Sequence, residues 1–448
     1  MKNLKKPVPF IVIILGVVSL LTDAATEMIY PLVPVFIAAL GSGAVVLGII
    51  EGVAETTAAM IKLISGILSD RAGKRKIFVL IGYSISSLFR PLTGLVSAAW
   101  QIVIVRMFDR IGKGIRTAPR DALIASSVDE SIRGRSYGFH RAMDHAGAVI
   151  GPLLAIFTLL VLFSAFEIKD SLLLLRWTFI VAFIPGILAV LTIVFFVKES
   201  KYMQQVQEPL KFSLKSIDRN FKNYLLIMIL FTLGNSSDAF LLFRVEESIQ
   251  KSGAVVDLVS NISFLNNMIV NFGNETEQAR IINILFLPLV WGFFHLIKVI
   301  FSVPLGSLSD RIGRKAVINS GWGIYVCVYT AFALIVFLPS GLQVVATFIL
   351  FAVYALFYAF TEGAERAFVV DLVSENNRGT AFGLFNFSIG LGALPASIIF
   401  GFLYSFFDTT LPGFGGTVAF GFGATLAFIS MILLSVFVKE PVKKSNKS

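Results

Sequence analysis

The chain has 448 residues, 56% of them hydrophobic and only 15% charged, with 43 phenylalanines and a mean hydropathy of +0.83. Soluble domains carry about a quarter charged residues, so lipid is the solvent for most of this chain. The net charge of +10 sits in short loops between apolar runs, as membrane topology requires, and argues against nucleic acid as a partner.

Met1 to Pro9 carries three lysines and leads into a long apolar run. That run continues past Asp23 into Tyr30-Pro-Leu-Val-Pro with no convincing small-residue cleavage site. A retained first transmembrane helix is therefore expected, not a signal peptide. Windows of about 20 apolar residues, the length a bilayer needs, follow at 9–39, 44–68, 77–97, 99–126, 135–163 and 172–197. After a stretch rich in Gln, Lys and Ser they resume at 221–245, 281–308, 316–338, 341–370, 379–406 and 415–438. The fold class is an all-α membrane protein of twelve transmembrane helices in two six-helix bundles. Residues 1–197 form the first bundle, 198–220 a linker and 221–448 the second.

Loops on one side hold Arg71 to Lys76, Arg133 to Arg135, the linker, Arg311 to Lys315 and the tail lysines. Positive charge marks the cytoplasmic face, so both termini are expected in the cytoplasm. The longest loop on the other side, about 246–280, carries Glu246, Glu247, Asp257, Glu275 and Glu277. Cys327 is the single cysteine, which leaves no internal disulfide framework and no thiolate metal cluster. No cofactor and no metal site is expected: His140 and Asp144 stand one turn apart, but Arg141 between them repels a cation. Gly112-Lys113-Gly114 lies inside a membrane span and lacks the remaining residues of a phosphate loop.

One phrase occurs twice. Gly66-Ile-Leu-Ser-Asp70-Arg71-Ala-Gly73-Lys74-Arg75 returns as Gly306-Ser-Leu-Ser-Asp310-Arg311-Ile-Gly313-Arg314-Lys315. Each copy lies where an apolar span meets a basic loop, and a membrane chain that repeats over half its length is expected to form two related bundles around a central path.

These residues resemble the loop between helices 2 and 3 of the major facilitator superfamily, Gly-x-x-x-Asp-Arg-x-Gly-Arg-Arg/Lys, echoed between helices 8 and 9. Lys74 replaces the usual first Arg. Arg106, Gly112 and Gly114 match a second family pattern in helix 4. Gly147, Gly151 and Pro152 match a third in helix 5, although Ala155 and Ile156 stand where its trailing Gly-Gly would be. The resemblance spans residues 9–440. It implies a monomeric permease of the bacterial inner membrane that moves a small molecule, by alternating access and with protons as the driver. It also implies gating roles for Gly66, Asp70, Arg71, Gly73, Arg75, Gly147, Gly151, Pro152, Asp310, Arg311 and Gly313.

The fourth span is unusual. At 100° per residue, Arg106, Asp109, Arg110, Lys113, Arg116 and Arg120 fall within an arc of about 120°. An ionised side chain facing lipid at mid-depth costs about 2.5–3.5 kcal/mol, so this face must meet water or partners. Aligning Arg133-Gly134 with Arg378-Gly379 sets the tenth span opposite it, with Tyr354, Tyr358, Glu362 and Glu365 on one face. In the family, helices 1, 4, 7 and 10 line the cavity.

Three readings stay open. Arg110, Lys113 and Arg116, with Tyr354 and Tyr358, bind an anionic or zwitterionic substrate, since guanidinium forks pair carboxylate or phosphate. Alternatively Arg116 and Arg120 gate against Glu362 and Glu365. A third reading is static pairing, as in Asp109–Arg141 or Arg110–Asp144. Proton coupling needs a group that changes charge inside a span; Asp23, Glu27, Asp238 and Glu362 are the candidates, with His140 and His145 behind them. Export of amphipathic drugs is the alternative function, and a transport-dead sensor a more distant one.

Overall fold

The computed structural model describes residues 8–72, 74–128, 130–198, 218–252, 254–263, 274–373 and 378–440. Twelve long helices dominate them. The first six are α1 (Phe10–Ala39), α2 (Ala44–Ala72), α3 (Arg75–Leu95), α4 (Ala99–Ser126), α5 (Glu130–Ser164) and α6 (Ser171–Phe196). The second six are α7 (Arg219–Glu247), α8 (Glu275–Ile312), α9 (Arg314–Phe337), α10 (Ser340–Asp371), α11 (Arg378–Thr410) and α12 (Gly415–Phe437). Eleven are long and apolar enough to cross a bilayer. The twelfth, α4, is 28 residues long, about 42 Å at 1.5 Å per residue. Its charges exclude it from that count. Those charges point inward: Arg106, Asp109, Arg110 and Arg116 are all buried. The lipid-facing surfaces carry exposed Phe, Leu, Ile and Trp, such as Phe157, Phe195 and Trp100, as expected where the solvent is hydrocarbon.

Within the first half, α1 packs on α5 and α6, and α4 lies between α2 and α3. The second half repeats the plan: α7 packs on α11 and α12, and α10 lies between α8 and α9. The halves meet along α2 with α11 and α5 with α8. Small residues set these approaches. A Cβ on Gly147 would stand 2.4 Å from the Leu20 carbonyl oxygen, and one on Gly151 2.7 Å from that of Ala24. Thus α5 seats directly on the backbone of α1. Gly151 and Pro152, placed among the gating residues by sequence, work at tight crossings: Pro152 faces Gly292 of α8 across the bundle interface.

Two helices on the central axis are interrupted at matching depth. α1 tightens to a 3-10 turn at Tyr30–Leu32. α7 loses helical form at Asn235–Ser237 and restarts at Ala239. Asn, Ser and Asp side chains offer backbone groups alternative hydrogen bonds, which is why a Asn-Ser-Ser-Asp run opens a helix. Here Ser237 Oγ accepts from the Ala239 backbone N–H at 3.3 Å. Such breaks survive within membranes only where protein or a cavity surrounds them.

The end that carries the repeated phrase is basic. Gly66 of α2 faces Ala118 of α4, and the Arg75 guanidinium donates to the Ala122 carbonyl at 2.7 Å. Gly313 takes φ +99°, a conformation that favours glycine, and Arg311 is exposed. Gly73 and the side chains of Asp70, Arg71 and Asp310 lie outside the described residues.

Candidate functional site

A cavity of about 450 Å³ lies between the halves, within the range of small-molecule sites. At its deep end stand Tyr30, Asp238, Trp291 and Phe294. Toward the basic end it is lined by Lys62, Asp121, Arg141 and Arg366. Beyond the deep end the halves touch: the Val33–Ala39 segment of α1 meets the second part of α7, and Gly48 of α2 abuts the Ser397 carbonyl of α11. The cavity is therefore shut at one end by helix packing.

A buried polar network stands behind that closure. Arg106 of α4 pairs with Glu51 of α2 at 2.8 Å, both almost fully buried. Ser237 of α7 donates to the other oxygen of Glu51 at 3.0 Å and shares a hydrogen bond with Tyr30 at 3.1 Å. Glu51 thus neutralises a helix 4 arginine and reaches across to the second half. Arg90 of α3 pairs with Asp109 at 2.9 Å and donates to the Thr22 carbonyl at 3.3 Å. Arg110 pairs with Glu55 at 3.3 Å. The static pairs anticipated from sequence, Asp109–Arg141 and Arg110–Asp144, are not the ones formed: Arg106 and Arg110 turn toward α2 and Asp109 toward α3, the helices flanking α4. Asp144 instead accepts from Ser19 and lies 3.7 Å from His140 and from Arg141.

Arg116 reaches the cavity differently. Its guanidinium lies over the Tyr83 ring at 4.4 Å and donates to Ser86 Oγ at 2.8 Å. Lys113, one turn away, lines the cavity beside it. Among the described residues, Lys62, Lys113, Arg116 and Arg366 have no carboxylate within 4.0 Å. Arg120 pairs with its neighbour Asp121 at 2.9 Å, and Glu365 accepts from the Trp322 indole at 3.1 Å. The gate pairs of Arg116 and Arg120 with Glu362 and Glu365 are not made in this conformation.

Of the four proton candidates, all line the cavity, but their surroundings differ. Asp23 has no hydrogen-bond or ion-pair partner among the described residues. Asp238 accepts from Tyr354 at 2.5 Å and from Tyr358 at 2.9 Å and 3.0 Å, with no cation in contact. Glu27 accepts from the Trp291 indole at 2.7 Å and faces His295 Nε2 at 3.7 Å. Glu362 is paired with Lys298 at 3.2 Å and lies 3.9 Å from Arg141 of the other half. Tyr354 is fully buried behind Tyr358 and reaches the cavity only through Asp238.

Sequence reasoning did not mark Trp291, Phe294, Lys62 or Arg366 as cavity residues. Trp291, Phe294, His295 and Lys298 recur at three- and four-residue steps on α8, a spacing that places them on one face. That signal was available. Lys62 stands alone in an apolar run and Arg366 directly follows Glu365, and only the packing of α2 and α10 shows where the two point.

The Major Facilitator Superfamily model matches residues 15–270 and 256–448. An uncharacterized transporter of that type from Methanocaldococcus jannaschii is 34% identical over 418 residues, covering 93% of this chain and 94% of its own. Among solved structures, the nucleoside transporter NupG superposes with a TM-score of 0.67 at 15% identity, over 96% of this chain and 98% of that one. A D-xylose–proton symporter does so with a TM-score of 0.67 at 18% identity, over 96% and 98%. Both likenesses are of fold.

Proposed function

Because the chain belongs to the Major Facilitator Superfamily of membrane transporters, we propose that it is a proton-driven secondary transporter of a small organic anion or zwitterion, working by alternating access. The observation that carries the substrate class is the set of cationic side chains in the cavity, Lys62, Lys113, Arg116 and Arg366, that no carboxylate of the protein meets. Arg116 is buried, whereas Lys62, Lys113 and Arg366 are open to the water of the cavity. A ligand that displaces that water must replace the solvation of these charges, so one that brings a negative charge is the one this cavity favours. Lys113 and Arg116 are the deeper pair and the principal anion contacts. Arg110 is already held by Glu55, so its charge is met within the protein.

Asp238 and Asp23 are the proton carriers in this reading. Each sits in the cavity without a cation in contact, so neither is tied to its charged state by a partner. They occupy the first helix of each half. Glu362, bridged to Lys298 and near Arg141, acts with them as an ion pair across the bundles that opens when the halves rock. The basic end faces the cytoplasm, and the closed end lies opposite.

Drug export is the second reading, on the Gly147, Gly151 and Pro152 pattern. Those residues pack α5 on α1 and α8, a role any transported ligand allows. Lys113 and Arg116 would repel a lipophilic cation.

The test uses purified protein in liposomes with a trapped pH dye, protein-free liposomes serving as control. Addition of small carboxylates, phosphates or lipophilic cations in turn should give a protein-dependent pH change only with a member of the anionic set. Asp238→Asn should still bind that compound while the pH change falls at least tenfold. A pH change evoked by lipophilic cations alone would refute the anion reading, and an undiminished signal in Asp238→Asn would remove that residue from proton transfer.

A further inference from the structure

The charges lining the cavity divide into those the protein meets and those it leaves open, and the open ones carry both signs. Arg110 is met by Glu55 at 3.3 Å, Arg120 by Asp121 at 2.9 Å and Glu362 by Lys298 at 3.2 Å. Asp238 accepts from two tyrosine hydroxyls, and Glu27 from the Trp291 indole. Between the deep end and the basic end there remain Lys113 and Arg116 on α4 and, with the opposite sign, Asp23 on α1. Arg116 has Ser86 and the Tyr83 ring but no carboxylate. Asp23 has no hydrogen-bond or ion-pair partner among the described residues.

The three share one region. Arg116 and Lys113 are among the charges that act on Asp23, yet neither comes within the 4.0 Å of an ion pair. We infer that the substrate is a zwitterion of the α-amino acid kind, its carboxylate on Lys113 and Arg116 and its ammonium on Asp23. This rests on the reading of Lys113 and Arg116 as the anion contacts and adds the positive group. A plain carboxylate bound there would bring a second negative charge up to an unpaired Asp23, which costs energy; an ammonium beside it turns that cost into an attraction. With charge-assisted hydrogen bonds of about 2.8 Å at each end, a ligand carrying both groups on one carbon spans charges too far apart to pair directly. All three residues belong to the first half, so their spacing survives the rocking of the halves. The proton that Asp23 carries leaves its carboxyl as the ammonium arrives, and one carboxylate serves both in turn.

The experiment is calorimetric binding to the purified full-length protein in detergent. Alanine, serine, leucine and phenylalanine are each compared with the 2-hydroxy acid and the amine of the same side chain, beside inorganic phosphate and 5-aminopentanoate. Wild type, Asp23→Asn and Lys113→Gln are measured after their unfolding temperatures have been shown to match; Asp23→Ser replaces an Asp23→Asn that folds poorly. At least one amino acid should bind wild type about tenfold tighter than its hydroxy acid. Asp23→Asn should abolish that preference and leave the hydroxy acid unchanged, while Lys113→Gln weakens both. If the hydroxy acids or phosphate bind as well as the amino acids and Asp23→Asn has no effect, the ammonium is wrong and the anion reading stands. If the amines bind in place of the acids, or Lys113→Gln leaves every acid unchanged, the anion reading fails and the zwitterion falls with it. Binding of 5-aminopentanoate in preference to all four amino acids, or of none of the four, also overturns the inference.

Discussion

At the scale of single residues, membrane depth turns each charge into a question of partners. Arg106 and Glu51 answer it by pairing at 2.8 Å with side chains that are 4% and 1% exposed. Such a pair adds little net stability relative to apolar residues, but removing one member strands the other. Glu51→Gln should therefore destabilise the protein by about 3–5 kcal/mol, read by denaturant or thermal unfolding in detergent. The double variant Glu51→Gln with Arg106→Met should recover much of that loss. If the single variant unfolds like wild type, the pair is not structural. The same logic separates the other cationic residues of α4. Arg110 carries a protein counter-charge; Lys113 and Arg116 do not. The sequence showed the basic excess on α4 but not its division, because Glu55, Glu51 and Arg90 arrive from other helices and no spacing rule connects them. Asp238 is a related case. Ser236 and Ser237 are its neighbours in the chain, yet its hydrogen bonds come from Tyr354 and Tyr358, more than a hundred residues away.

At the scale of elements, periodicity made most of the architecture readable. All twelve spans stand where apolar windows placed them, including α4, whose charges hide it from a hydropathy threshold but fall on one helical face. The short helix Ala254–Asn261 inside the acidic loop, and the break of α7, were not anticipated. The Asn235-Ser-Ser-Asp238 run carried the signal for the break; a span-length apolar window averages it away. Close helix approach is a second element property. A Cβ on Gly112 of α4 would stand 2.5 Å from the Gly82 carbonyl oxygen and from Ser86 Oγ of α3. Gly112→Ala must push α4 from α3 and disturb Ser86, which holds Arg116. The expected outcome is a loss of about 1–3 kcal/mol in unfolding experiments, with weaker anion binding than wild type. Retained stability and binding would show that α3 and α4 approach less closely.

At the scale of the whole molecule, the two halves share one plan and one cavity, and the closed end fixes which side of that cavity is shut. Contacts between Val33–Ala39 of α1 and Ala239–Glu247 of α7, and the Tyr30–Ser237–Glu51 bridge, hold that closure. In an alternating carrier such contacts must part once per cycle. Cysteine pairs placed across these two segments in a Cys327→Ser background, joined through disulfides by a short bis-methanethiosulfonate linker, should abolish transport in liposomes and leave binding from the basic end intact. Reduction should restore transport. Unimpaired transport by the linked protein would mean that this end never opens.

The most direct test of the central claim is a thermal-shift comparison of the purified protein, wild type beside Lys113→Gln and Arg116→Ala, against small carboxylates, phosphates and lipophilic cations. The account predicts that at least one carboxylate or phosphate compound raises the unfolding temperature of wild type, and that both variants lose the shift while unfolding normally without ligand. Stabilisation by lipophilic cations alone, unchanged in the two variants, would contradict it.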